Sequence, residues 1–217
     1  MWGKTMEKTR SMKAVVFGPL FAAIALSLVL FSAPAEARER TLLGSTHYSS
    51  GGFGGVQVLS TQFNGEDAVL VGGSGAWVIN EKFYIGGGGY GVGTHHDGPM
   101  IEGYEDTPRL EMGYGGAMVG LILRNDDMIH LAGDVMIGGG SVMNMVETGY
   151  NDSWTEHEAE AFWFIQPMAH LEMNVTHWMR ASFSYGYRSA RDFNAFGMDE
   201  NDLSGHVIGA TIRFGGW

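Results

Sequence analysis

Residues 69–91 (VLVGGSGAWVINEKFYIGGGGYG) contain two strand-like segments joined by a short polar turn at 80–82. One face of the first segment carries Val69, Val71, Trp77 and Ile79, and glycine, serine and alanine dominate its remaining positions. This period-two pattern is typical of a β-hairpin with one apolar face. The glycine run at 86–89 precedes neither a helical pattern nor a Lys-Ser/Thr pair, so it does not match a phosphate-binding loop. The same hairpin unit occurs twice more downstream, and it therefore dominates the chain.

Eight strand-like segments account for the chain after residue 50. They cover approximately residues 51–63, 68–79, 83–93, 110–123, 129–141, 161–173, 179–188 and 206–217. Segments of this length fit strands that cross a membrane, where about 9–11 tilted residues span the hydrocarbon. No stretch of helical periodicity lies among them, so the pattern predicts an all-β protein.

The connections between the segments fall into two classes by length. Short turns at 80–82, 124–127 and 174–177 alternate with long loops at 94–109, 146–160 and 189–205. In an up-and-down arrangement every second connection lies at the same end, so the three long loops share one end. An even strand number with short periplasmic turns and long outer loops is the layout of bacterial outer-membrane barrels. We therefore predict an eight-stranded antiparallel transmembrane β-barrel.

The N-terminal region has the features of an export signal. Basic residues precede an apolar run at 14–31, and the sequence AEA at 35–37 fits a small-x-small cleavage site. We expect a cleaved signal peptide at 1–37, a short lead at 38–50 and a barrel domain at 51–217. The apolar run is longer than the usual ~7–15 residues, so an uncleaved membrane anchor is the alternative.

Net charge and cysteine content exclude several kinds of partner and site. The chain has 13 Lys and Arg against 24 Asp and Glu, and this balance argues against a nucleic-acid partner. It has no cysteine, which excludes disulfides, thiolate metal sites, cysteine nucleophiles and the lipid-modified cysteine of a lipoprotein. We expect no cofactor.

In this layout the chain resembles the superfamily of small eight-stranded outer-membrane barrels, which includes the transmembrane domain of the outer-membrane protein A family. The resemblance covers about residues 51–217. It implies a location in the outer membrane of a Gram-negative bacterium, with lipid and lipopolysaccharide as neighbours. Members usually end in an aromatic residue that the barrel-assembly machinery recognises. Here Trp217 lies out of phase with the alternating final segment. A bulge at Gly215-Gly216 would restore its phase, and the alternative is that Phe214 is the signal residue.

Six charged or titratable residues fall on the polar faces of their segments, near the periplasmic end. We predict that they meet as a network that plugs the lower lumen, because buried charges must be paired and hydrogen-bonded. An eight-stranded barrel is just wide enough for side chains to fill. A structural lock is the preferred interpretation, and a proton relay, a metal site or a gated pore are the alternatives. The residues are His130, Asp134, His170, Glu172, Arg180 and Arg213.

Aromatic residues cluster near both ends of the segments, as expected for girdles at the two membrane interfaces. The alternative is a set of core aromatics in a soluble barrel. The inner girdle is predicted to hold Trp77, Tyr84, Trp178 and Trp217, and the outer one Tyr90, Phe162, Trp163, Tyr185 and Tyr187.

More than half of the acidic residues lie in the three long loops. Clustered carboxylates suit hard divalent cations, but no calcium-loop spacing occurs, so a solvated acidic surface is the preferred interpretation. His95-His96-Asp97 is a weak candidate for a transition metal.

Four hypotheses of function follow. The leading one is a non-enzymatic outer-membrane barrel whose acidic loops serve surface interaction or envelope integrity. A narrow pore for small or hydrophobic solutes is the second. A lipid A-modifying enzyme is the third, and it would need a pair such as His206 with Ser204 or His157 with Ser153. The fourth is a soluble lipocalin-like periplasmic binder with its apolar faces turned inward.

Overall fold

A computed structural model describes residues 49–100, 108–148 and 153–217. Within these ranges eight long strands form one closed antiparallel barrel, so the predicted all-β eight-stranded fold is confirmed. The predicted signal peptide at 1–37 lies outside the described residues. The barrel strands are β1 (Ser50–Phe63), β2 (Glu66–Ile79), β3 (Phe83–Val92), β4 (Arg109–Leu123), β5 (Ile129–Thr148), β6 (Ser153–Asn174), β7 (Met179–Arg191) and β10 (Gly205–Gly216).

Each barrel strand pairs with its neighbours in chain order, and β1 pairs with β10 to close the sheet. The short strands β8 (Asn194–Ala195) and β9 (Met198–Asp199) and helix α1 (Glu200–Leu203) lie in the connection between β7 and β10. We call the end with the β2–β3, β4–β5 and β6–β7 connections the turn end, and the opposite end the loop end. No helix in the described ranges is long and apolar enough to cross a membrane.

Side chains alternate between the two faces of the barrel wall. In β7 the polar residues Arg180, Ser184 and Arg188 are buried inside, while Phe183 and Tyr185 are more than half exposed outside. Strand geometry produces this alternation, because successive side chains point to opposite faces of a sheet. The interior is therefore filled by polar and apolar side chains together, and the outer wall is largely apolar.

Glycines of neighbouring strands align across β2 to β5. The strand register pairs Gly75 with Gly87, Gly88 with Gly116, and Gly116 with Gly138. A Cβ atom at Gly87 would lie 2.8 Å from the carbonyl oxygen of Gly116, which is closer than real Cβ contacts. Only glycine permits this approach of adjacent backbones. We call this row of paired glycines the glycine seam.

Two of the predicted long loops contain more regular structure than the sequence indicated. β5 and β6 extend to Thr148 and Ser153, which pair with each other, so much of the predicted loop at 146–160 is a hairpin extension. A register shift between Asn144 and Met145 marks a bulge in this extension. The 189–205 connection contains β8, β9 and α1.

Candidate functional site

Glu172 of β6 is the centre of a charged group inside the turn end. Its carboxylate accepts a hydrogen bond from the Nη1 group of Arg213 on β10. The second carboxylate oxygen lies 3.2 Å from His130 Nε2 on β5 and 3.6 Å from Arg180 Nη1 on β7. All four residues are buried. Three strands thus converge on one buried carboxylate, which contacts two guanidinium groups.

Strand register explains why Glu172 is needed at this position. Arg180 and Arg213 are direct cross-strand partners between β7 and β10. Like charges that face each other across a sheet are destabilising. Glu172, itself the register partner of His130, supplies the opposite charge to both arginines. Each of the two facing arginines is therefore in contact with an opposite charge.

Asp134 of β5 forms a second group beside the first. Its Oδ2 atom accepts a hydrogen bond of 2.9 Å from the Tyr84 hydroxyl and lies 2.9 Å from His170 Nε2. The other ring nitrogen of His170 lies 2.7 Å from the Ser184 hydroxyl oxygen. Residues of β3, β5, β6 and β7 are thereby joined across the interior.

Aromatic rings cover the arginines at the turn end. The guanidinium of Arg180 lies 3.5 Å from the ring centroid of Trp217, and that of Arg213 lies 4.8 Å from Phe53. Phe53 also stacks on Trp217, with 5.1 Å between centroids. Arg180 Nη2 donates to Asn125 Oδ1 in the β4–β5 turn at 2.5 Å. Such cation–π and charge-assisted contacts hold the guanidinium groups in place.

A second layer fills the interior beyond this cluster. Tyr90 donates its hydroxyl to Gln57, whose amide donates to Thr211 at 2.9 Å. Tyr114 donates to Gln166 at 3.1 Å, and the rings of Tyr90 and Tyr114 lie 5.3 Å apart. The space between the strands is therefore occupied by side chains that bond across the barrel, as an eight-stranded barrel permits.

All six residues predicted for the lumen network lie inside the turn end. Sequence reasoning missed five participants: Tyr84, Ser184, Asn125 and the covering rings of Phe53 and Trp217. The position of Ser184 on the polar face of β7 was a usable signal, whereas the contacts of Asn125 and Trp217 depend on how the turns and the final residues fold back. No cluster of three or more metal-binding His, Asp or Glu side chains occurs in the described ranges.

The predicted interface aromatics divide into two groups. The prediction is wrong for Tyr84, which points inward between the outward-facing Phe83 and Ile85, and for Trp217, which packs over Phe53 and Arg180. Tyr90 and Phe162 are also buried inside, because they occupy inward positions of their strands. The other five lie on the outer surface with 44–55% of their area exposed: Trp77, Trp163, Trp178, Tyr185 and Tyr187. Their position at the membrane interface stays a prediction.

Three of the described histidines outside the cluster have separate partners. His95 lies 3.2 Å from Asp97, while His96 is buried and contacts Thr94 and Glu66, so the adjacent rings have different partners. His206 lies 2.8 Å from the Tyr185 hydroxyl. Ser204 instead donates to the Glu200 carbonyl and accepts from the Ala190 amide. The side chains of His157 and Ser153 lie outside the described residues.

Acidic residues of the third long loop have structural partners. Asp199 and Asp202 form a capping box at the start of α1. Glu200 lies 3.2 Å from Arg191, and Asp192 accepts a hydrogen bond of 2.7 Å from the Trp163 indole. These carboxylates order the loop, which accounts for part of the acidic content without a bound cation. Other acidic positions, including 102, 105, 106, 147, 152, 156 and 158, lie outside what the structure describes for side chains.

Comparison with known proteins identifies similar folds but no relative by sequence. No protein-family model and no curated protein sequence matches the chain. Neisserial surface protein A is structurally similar, with a TM-score of 0.53 and 10% identity over 78% of this chain and 99% of that chain. OprG of Pseudomonas aeruginosa matches with a TM-score of 0.47 and 7% identity, covering 77% of this chain and 94% of its own. Ail of Yersinia pestis gives a TM-score of 0.42 and 14% identity, with coverages of 76% and 94%. The predicted resemblance to small eight-stranded outer-membrane barrels is confirmed for the fold.

Proposed function

We propose that this protein is a non-enzymatic outer-membrane barrel that anchors its acidic loop end at the cell surface. The loops would serve surface interaction or envelope integrity. Export by a cleaved signal at 1–37, recognition of the final strand by the barrel-assembly machinery and contact with lipopolysaccharide belong to the same proposal. The observation that carries it is the apolar outer wall around a filled interior.

The outer wall is unsuited to water. Large apolar side chains with 54–61% of their area exposed occur on neighbouring strands around the barrel, among them Val56, Val71, Val119, Ile137 and Phe183. Soluble proteins rarely expose a contiguous apolar patch of this extent. Hydrocarbon would cover it at no cost, and a closed barrel leaves no unpaired backbone edge in the lipid.

The filled interior favours an anchor over the other hypotheses. The turn-end cluster and the tyrosine–glutamine layer occupy the path that a narrow pore would need. A lipocalin-like binder would turn its apolar faces toward an internal ligand, whereas here much of the apolar area faces outward. In the described ranges, His206 and Ser204 each have other partners, which disfavours them as a catalytic pair.

Heat-modifiable migration and conductance test the proposal together. Unheated protein extracted from outer membranes in detergent is expected to migrate differently from boiled protein, because the closed barrel resists unfolding. Planar bilayers containing the purified protein should show no stepwise conductance. Recovery in the soluble periplasm would contradict the membrane assignment. Discrete conductance steps would show that the protein is a pore and not a closed anchor.

A charge on the outer wall provides an independent test. Val56 lies midway along β1 with 61% of its area exposed. Val56→Arg is expected to destabilise the barrel in phospholipid vesicles by about 2–4 kcal/mol, since arginine at the bilayer midplane is costly. The measurement is guanidinium unfolding followed by tryptophan fluorescence. Met128→Arg is the control, because Met128 is also highly exposed, at 68%, but lies in the β4–β5 connection. Equal effects of the two variants would contradict a lipid-facing wall.

A further inference from the structure

The buried charges inside the barrel do not balance. In the described ranges the buried ionisable residues include three arginines but only two carboxylates, Glu172 and Asp134. Both carboxylates lie at the turn end with Arg180 and Arg213, where Glu172 contacts the two arginines and Asp134 is bonded to Tyr84 and His170, so the charges of that end balance. One positive charge is left over.

That charge belongs to Arg188, which lies in β7 toward the loop end and is fully buried. Its Nε group donates to the carbonyl oxygen of Leu203 in α1 at 2.7 Å. No carboxylate whose side chain the structure describes forms an ion pair with Arg188, and its two terminal nitrogens, Nη1 and Nη2, have no hydrogen-bond partner among the described side chains. Because arginine keeps its proton in proteins, it cannot relieve this situation by becoming neutral.

The groups that contact Arg188 are neutral. The guanidinium carbon lies 4.9 Å from the ring centroid of Tyr114, whose hydroxyl bonds to Gln166. The Nε group of Arg188 is already bonded to the Leu203 carbonyl oxygen. The remaining donors, at Nη1 and Nη2, have the fork geometry that binds two oxygens of a carboxylate or phosphate group.

We propose that Arg188 binds a small oxyanion inside the loop end of the barrel, beneath α1. The ligand carries a carboxylate or phosphate group and enters from the loop end, because the charged cluster fills the turn end. It supplies the negative charge that the interior lacks, since an uncompensated buried charge is strongly destabilising. This site is independent of the proposed surface role: it requires the interior of the barrel and not its location in a membrane.

Anion-dependent stability tests the site. Refolded barrel in detergent micelles is titrated with sodium phosphate, and separately with sodium acetate, at constant ionic strength set with sodium chloride. We expect a saturable rise in the wild-type melting temperature of roughly 5 °C or more at about 100-fold excess over the dissociation constant. Arg188→Met should lose this dependence, because the unbranched apolar chain keeps the bulk and removes the charge. Arg109→Met, which alters a partly exposed arginine near Glu111, should retain it.

Calorimetric titration of the wild type with phosphate gives a second measurement that does not require a variant to fold, and Arg188→Lys should bind more weakly. An acetate effect without a phosphate effect would limit the ligand to carboxylates. A wild type that responds to neither anion, or an Arg188→Met variant that responds as the wild type does, would overturn the proposal. An insensitive wild type together with a destabilised Arg188→Met variant would assign the partner to a carboxylate of the chain itself.

Discussion

Glu172→Gln is expected to destabilise the folded barrel by about 3–5 kcal/mol, the range found when one partner of a buried ion pair is removed. Glutamine keeps the shape of the side chain but leaves Arg180 and Arg213, which face each other in the register, without a compensating charge. Neither guanidinium group can lose its proton. Unfolding in guanidinium, followed by tryptophan fluorescence of the barrel in vesicles, measures the change in free energy.

A matched exposed pair and a double-mutant cycle make this prediction specific. Glu111 lies 3.5 Å from Arg109, and both side chains are partly exposed, so Glu111→Gln should change stability by less than about 1 kcal/mol. In the cycle, Arg180→Met combined with Glu172→Gln should be less destabilising than the sum of the single changes, because the double variant leaves one guanidinium unpaired instead of two. Additive effects, or a Glu172→Gln effect as small as that of Glu111→Gln, would show that the cluster is not coupled.

The alternation of side chains was sufficient to predict the strands and the inward position of the charged residues. In β7, polar residues alternate strictly with Phe183, Tyr185 and Tyr187, so the face of Arg180 followed directly from its position. The depth of a residue followed from its distance to the nearest short turn. Both quantities are local, which is why they could be read from one segment at a time.

Tyr84 and Trp217 show where local patterns were insufficient. Phe83, Tyr84 and Ile85 are all apolar or amphipathic, so this part of β3 has no polar face that identifies the inside. Trp217 follows the last paired residue of β10, and its direction is set by packing on Phe53 rather than by strand alternation. Contacts across the lumen depend on the stagger of all eight strands, which no single segment specifies.

The pairing of Arg188 also could not be predicted from single segments. Its inward face was evident from the sequence of β7, but its lack of a partner was not. Pairing depends on which residues of other strands reach the same level of the lumen. The two buried carboxylates, Asp134 of β5 and Glu172 of β6, lie nearer the turn end, whereas Arg188 contacts Tyr114 and Leu203. The uncompensated charge is therefore a property of the assembled barrel.

A side chain added within the glycine seam is expected to give the second large loss of stability. Gly138 faces inward on β5, and a Cβ atom there would lie 2.5 Å from Gly116 Cα and still closer to the carbonyl oxygen of Gly115. These are backbone atoms of β4, which cannot rotate away as a flexible side chain does. Gly138→Ala is therefore expected to destabilise the barrel by about 1–3 kcal/mol, and Gly138→Val by more, because overpacking forces the two strands apart.

Gly54 is the matched control for this prediction. It also lies within a barrel strand, but a Cβ atom at this outward position would have no atom within 4 Å. Gly54→Ala should be neutral or slightly stabilising, since alanine lowers the conformational entropy of the unfolded chain without strain. Unfolding of both variants in vesicles measures the difference. If the two alanine variants have the same stability, the seam tolerates side chains, and close approach of the backbones does not explain its glycines. A loss confined to Gly138 would show that the glycines of β2 to β5 are needed for barrel closure rather than for loop flexibility or ligand binding.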